Sequence, residues 1–124
     1  IPTPGWIVKD SHFECVEWSL KANNAPQSNF SDNLLYEAQD SVGAYYSMLL
    51  IAVSNSKFNG NTVVGRNRGA NSRGILLGSG DSCRLVGNCS QGVQECIELQ
   101  AGSSNCKGSS NGAVTDLGSN NVVS

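Results

Sequence analysis

The chain has no apolar run approaching the ~20 residues that a membrane-crossing helix needs. Its longest candidate, Met48–Val53, is far shorter, so no membrane span is expected. Charge is also scarce, at 15% of 124 residues, beside 39% hydrophobic residues. That balance excludes a charge-rich disordered chain and suits one domain with a moderate core, spanning residues 1–124. A net charge of −2 and a pI near 5.2 argue against a dedicated nucleic-acid binder. There is no CxxC and only one histidine, His12, so zinc-ligand spacing is absent and neither a metal nor a cofactor is expected. Five cysteines, an odd set, stand at Cys15, Cys83, Cys89, Cys96 and Cys106. They read as reduced, buried thiols acting as small apolar side chains, with a secreted disulfide framework the less favoured alternative. No long amphipathic helical pattern is visible. The chain opens at Ile1 without Met and shows no signal peptide, and it reads as a processed product or a trimmed piece.

In place of charge stand many Asn, Ser and Gly, which suit turns and small polar ladders. They are arranged in a loose repeat: Gly74–Asn88 (GILLGSGDSCRLVGN), Cys96–Asn111 (CIELQAGSSNCKGSSN) and Ala113–Ser124 (AVTDLGSNNVVS). Each copy has an alternating apolar segment, a small polar corner, and another apolar or cysteine position. A repeat of this size builds coils that stack on copies of themselves. Aligning the position after each polar corner equates Phe58, Cys83, Cys106 and Val122, at intervals of 25, 23 and 16 residues. Apolar strand starts precede them at Leu50, Ile75, Ile97 and Val114. The alignment predicts Ile75 over Ile97 and Cys83 over Cys106.

Short strands are expected at Ile7–Lys9, Leu49–Val53, Thr62–Val64, Ile75–Leu77, Arg84–Val86, Ile97–Leu99 and Val114–Thr115, with Gly-rich turns between them. Coils spaced ~4.8 Å apart would form parallel sheets along one axis. The fold class is therefore all-β, a short parallel β-helix (solenoid) of about four to five coils. Residues 48–124 are its regular part, and 1–47 are a less regular N-terminal coil and loop. Lys21–Asn33 reads as a loop, and Ser31 or Asp32 as the cap of a short helix over Asn33–Gln39.

Charge is uneven along the chain. Residues 1–40 hold six acids and two bases, whereas residues 57–84 hold five bases and one acid. These are solvated surface charges or, on the sharper reading, complementary faces of neighbouring subunits. The aromatics Trp6, Trp18, Phe30, Tyr36, Tyr45 and Tyr46 crowd the N-terminal half, as a sugar-binding or docking surface or as a core plug. With the arginines that commonly anchor interfaces, the candidate binding residues are Trp6, Trp18, Tyr45, Tyr46, Arg66, Arg68 and Arg73.

Glycosidase chemistry needs two carboxylates across a groove. Stacked coils offer Asp81, Glu98 and Asp116 as catalytic candidates, and the plainer reading makes all three solvent-facing acids. Glu98 is expected to project outward, because Ile97 and Leu99 project inward. Lyase chemistry would add a basic residue, formally Arg73 or Arg84. His12 reads as a surface histidine, since a triad base would need partners that nothing in its segment marks. GSGDSC lacks the third Gly of a nucleotide-binding loop. Two N-glycosylation triplets, at Asn29 and Asn88, would matter only in a secreted eukaryotic chain. The scarcity of regularly spaced Thr argues against an ice-binding ladder.

The phrases GILLGSGDSCRLVGN and VTDLGSNNVVS resemble right-handed parallel β-helix proteins of the pectate-lyase-like superfamily, over residues 48–124 more than 1–47. That superfamily holds polysaccharide lyases, glycoside hydrolases and the trimeric tailspikes of bacteriophages. Its enzymes usually have more coils, and an uncovered last coil would present unpaired strand edges. The resemblance is therefore closest to phage tailspike and appendage β-helices. It implies a structural or binding module of a tail spike, fibre or virion appendage, homotrimeric or within a larger virion assembly, virion-borne or extracellular, and touching host polysaccharide. The alternative is a fragment of a polysaccharide lyase or glycoside hydrolase.

Overall fold

The computed structural model describes residues 5–15, 18–37, 45–66 and 72–124, apart from the side chains of Cys15, Trp18, Ser19 and Tyr45. These residues wind through successive turns of a parallel β-solenoid, with no helix among them. The first turn holds β1 (Ile7–Lys9), β2 (His12–Cys15) and β3 (Trp18–Asn23). The second holds β4 (Asn29–Ser31), β5 (Leu34–Glu37) and β6 (Tyr45–Ile51). The third holds β7 (Lys57–Asn59), β8 (Thr62–Val64) and β9 (Ser72–Asp81). The fourth holds β10 (Arg84–Val86), β11 (Cys89–Gln91) and β12 (Glu95–Ser104). The chain ends with β13 (Lys107–Ser109), β14 (Val114–Asp116) and β15 (Val122–Val123).

Corresponding strands of each turn pair in parallel and build three open sheets. One is six-stranded, β1-β4-β7-β10-β13-β15; one is four-stranded, β2-β5-β8-β11; one is five-stranded, β3-β6-β9-β12-β14. Residues of equal register therefore stand above one another, and a turn cannot bury its inward side chains until the next turn covers them. Inside the six-stranded sheet the column runs Val8, Phe30, Phe58, Leu85, Gly108, Val123. The rings of Phe30 and Phe58 stack at 5.2 Å and 6°. Inside the five-stranded sheet run Leu20, Met48, Ile75, Ile97, Val114 and, two residues on, Ala22, Leu50, Leu77, Leu99. Full burial of each such aliphatic side chain contributes roughly 1.5–3 kcal/mol.

Corners are set by backbone conformation and by one residue type. After each of the first five strands of the six-stranded sheet comes a left-handed residue: Asp10, Asp32, Gly60, Gly87 and Ser110, with φ of 49, 56, 66, 68 and 59°. The next position holds Ser11 and then Asn33, Asn61, Asn88 and Asn111. Each of these Asn side chains caps the neighbouring turns. Asn61 Nδ2 donates to Phe30 O (3.0 Å) and Asn88 Oδ1 (2.9 Å), and Asn88 Nδ2 donates to Phe58 O (2.8 Å) and Asn111 Oδ1 (2.9 Å). Asn33 and Asn111 continue the ladder at either side. The separations of the bonded partners, 22, 28, 27, 23 and 15 residues, are the lengths of successive turns.

Ile75 does pair with Ile97, and Cys83 and Cys106 sit directly before the paired Arg84 and Lys107. The phase of the outer matches differs. Phe58 stands level with Leu85, two residues beyond Cys83, and Met48 rather than Leu50 stands level with Ile75. Asn33–Gln39 is not helical over its described part. Leu34–Glu37 is strand β5, because Leu35 enters the core column between Phe13 and Val63. Lys21–Asn33 contains the end of β3 and all of β4, so strands β1 to β5 stack in register with the later turns.

Candidate functional site

Side chains alternate across a strand, so the residues flanking the inward column of the six-stranded sheet face outward. Two outward rows result. One runs Ile7, Asn29, Lys57, Arg84, Lys107, Val122, and the other Lys9, Ser31, Asn59, Val86, Ser109. Lys57, Arg84 and Lys107 thus stand on neighbouring strands, ~4.8 Å apart, and all three are exposed. Stacked like charges of this kind are destabilising. Among the described residues no acid forms an ion pair with any of them. Beside them, Asn29 Oδ1, Ser31 Oγ and Asn59 Oδ1 are buried with no hydrogen-bond partner. Leaving such an atom unsatisfied costs about 1–3 kcal/mol. Shallow depressions run along this face, one lined by Lys57, Asn59, Arg84 and Val86 and the next by Arg84, Val86, Lys107, Ser109 and Val122.

The sequence-derived binding candidates fall elsewhere. Trp18, Tyr46 and Arg73 come together at one register position of β3, β6 and β9, with Glu95 next in the row and Tyr45 one residue before Tyr46. Arg73 is held within this sheet, with Nε 3.3 Å from Glu98 Oε1 and Nη1 2.7 Å from Gln94 Oε1. Trp6 is exposed just before β1, and its N–H donates to Ser28 Oγ. Arg66 follows β8, with its backbone N–H donating to the buried Glu37 carboxylate at 2.8 Å. Arg68 lies outside the described residues. The aromatic set therefore divides: Trp18 and Tyr46 share a register position, Phe30 is core, and Tyr36 is exposed against the ring of His12.

The three carboxylate candidates occupy different register rows. Glu98 is level with Leu76 and Thr115 and projects away from the core, as its flanking residues require. Asp116 is level with Leu99 and accepts from Gly118 N and Asn121 Nδ2. Asp81, level with Ser104, accepts from Asn105 Nδ2, Ser82 Oγ and Ser104 Oγ. Those donors hold Asp81 below the usual carboxylate range, a direction suited to an ionised corner anchor rather than a proton donor. His12 is exposed and lies 3.3 Å from Glu14 Oε1.

The four described cysteines are free: Cys83, Cys96 and Cys106 are buried, and Cys89 is exposed. The neighbouring Cys106 thiol and burial push Cys83 up. Cys83 lowers Cys106 in turn, and both thiols donate to main-chain carbonyls, Cys83 to Val53 O and Cys106 to Ser104 O. Burial pushes Cys96 up. Among the described residues no group of three or more His, Cys, Asp or Glu is placed to hold a metal ion. Asn88 is fully buried in the ladder, which closes that glycosylation triplet in the folded chain.

The cationic row was legible in principle. The phrases NFSDN (29–33), KFNGN (57–61), RLVGN (84–88) and KGSSN (107–111) recur, each with its outward residue first and its ladder Asn last. The position after each polar corner, Phe58, Cys83, Cys106 and Val122, does not mark this row, whose phrases lie 28, 27 and 23 residues apart. No protein-family model, curated protein or solved structure matches the chain, so the reading of its function stands on the geometry above.

Proposed function

We propose that the chain is a non-catalytic structural and polysaccharide-binding module. It is a rigid solenoid that forms part of an elongated appendage, of the kind found in virion tail spikes and fibres, and it works as a homotrimer on a virion or outside the cell. The observation that carries the binding half is the outward face of the six-stranded sheet, where Lys57, Arg84 and Lys107 stand exposed on neighbouring strands. An exposed row of donors on a flat sheet suits a hydroxyl-rich polymer that can span several strands. The structural half is supported by the continuous register of the sheets and by the asparagine ladder, which together make a stiff rod. The resemblance to pectate-lyase-like and tailspike β-helices agrees with this use of a parallel solenoid.

Native electrophoresis through gels containing neutral and acidic polysaccharides tests the binding half. Retardation by at least one polymer is expected, without shortening of that polymer. No retardation by any would end the binding reading, and depolymerisation would make the chain a lyase or hydrolase instead. Light scattering tests the assembly. A mass of three times the 13.0 kDa chain is expected, and a monomer would remove the trimer.

A further inference from the structure

We infer that Cys83 and Cys106 are an inter-turn redox pair: hydrogen peroxide acting on the folded chain joins them in one disulfide, which staples the fourth turn of the solenoid to the fifth.

Register brings the two together. Arg84 and Lys107 are level on β10 and β13, and the cysteines directly precede them. Lys107 N–H donates to Cys83 O at 2.9 Å, so the parallel pairing already holds at the cysteines. Neighbouring strands lie ~4.8 Å apart, inside the Cα separation of about 4.4–6.8 Å that a disulfide spans. Both side chains are buried. Both sulfurs also crowd Gly80, which has no side chain to keep them apart. Cys106 Sγ lies 3.8 Å from the Gly80 carbonyl oxygen, and a Cβ on Gly80 would stand 3.2 Å from Cys83 Sγ. The other described cysteines are placed differently: Cys89 is level with Thr62, and Cys96 passes beside Gly74.

The chemistry needs one oxidant. Cys106 is the thiol that its neighbour lowers, so it ionises first. Its thiolate attacks one oxygen of hydrogen peroxide and the O–O bond breaks. Cys106 becomes a sulfenic acid, and the hydroxide released takes up the proton that the thiol lost. The Cys83 sulfur then attacks the sulfenic sulfur. The S–S bond forms, the S–O bond breaks, and the Cys83 proton leaves with the hydroxide as water. Two thiols lose two electrons, and the peroxide is reduced to two waters. Hydrogen peroxide is uncharged and close to water in size, and the depression beside Lys107 is also lined by Ser82, Cys83 and Asn105. An aromatic disulfide reagent is too large for that route.

The bond would close a loop across 23 residues and tie β10 to β13, which hydrogen bonds and packing otherwise hold. A cross-link of this kind restricts the opened chain, so the fifth turn no longer peels from the fourth by itself.

The test treats the whole folded chain with equimolar hydrogen peroxide, caps the remaining thiols with N-ethylmaleimide in urea, and digests with trypsin and a glutamate-specific protease. The expected product is Gly74–Arg84 joined to Leu99–Lys107, and dithiothreitol should separate the two. Amide exchange in β13 is expected to slow at least about tenfold in the oxidised chain, and to stay unchanged in Cys106→Ser treated the same way. Linkage of Cys83 to Cys89 or Cys96, oxygen gained without any linkage, or linkage formed only when the peroxide is added in urea would each overturn the pair. Linkage that left exchange in β13 unaltered would overturn the staple.

Discussion

Asn61 has its whole side-chain amide committed. Its Oδ1 accepts from the backbone N (3.3 Å) and Nδ2 (3.0 Å) of Asn33, and its Nδ2 donates to Phe30 O and Asn88 Oδ1. The residue is fully buried, so truncation leaves several groups of adjacent turns without partners or water. Asn61→Ala is therefore expected to cost at least about 3 kcal/mol in urea unfolding, since each stranded group costs about 1–3 kcal/mol and the turns relax only in part. Asn59→Ala, two residues away on the outer face, should cost far less. Equal losses at the two positions would sink the ladder account. Cysteine separates burial from chemistry at the same scale. In a Cys15→Ser background one thiol, Cys89, should react rapidly with an aromatic disulfide reagent, and Cys83, Cys96 and Cys106 only on unfolding. Three fast thiols would show that the stacked cysteines are not core. The polar corners were readable as corners, but the identity of the residue that stacks was not. Asn, Ser and Cys all recur there, and only hydrogen-bond geometry distinguishes Asn as the one with a donor and an acceptor to pass along.

At the element scale, local propensity lost to register. The segment after Asp32 carries a capping residue, yet β5 forms because its alternation sends Leu35 inward between Phe13 and Val63 and leaves Tyr36 outside. Three strands, Ile7–Lys9, Thr62–Val64 and Arg84–Val86, have the bounds read from sequence, since each is a short β-branched or aliphatic run between turn signals. Others, such as β11 (Cys89–Gln91) and β13 (Lys107–Ser109), are polar and become strands through the neighbours they pair with. Gly108 of β13 shows how tight that pairing is. A Cβ there would collide with the carbonyl of Leu85 on β10. Gly108→Ala should separate β13 from β10 and lower stability by about 1–3 kcal/mol, the usual cost of overpacking, as read by thermal unfolding. Gly87→Asn should be nearly neutral. Its φ is positive, but the stacked positions already hold Asp32 and Asp10, and the nearest atom to an added Cβ is 4.0 Å away. A larger loss for Gly87→Asn than for Gly108→Ala would contradict this account of the corners.

At the scale of the molecule, strand pairing among the described residues joins each turn to the turns before and after it, so stability accumulates along the axis. Amide exchange should be slowest in β7, β9, β10 and β12, which are covered on both sides, and should quicken toward β1 and β15. Uniform protection from end to end would argue against this one-dimensional build. The sequence by itself determined that the chain is all-β, that it repeats, and that Ile75 lies over Ile97. Those conclusions follow from composition and period, which any stacked arrangement must obey. Tertiary structure alone decided the phase of the outer turns and the strand nature of Leu34–Glu37, and it brings Lys57, Arg84 and Lys107, each opening a recurring phrase, into one row. The physical reason is the variable turn length. Neighbours in the row are 27 and 23 residues apart, so no fixed period in the sequence brings them together; the asparagine bonds between turns do.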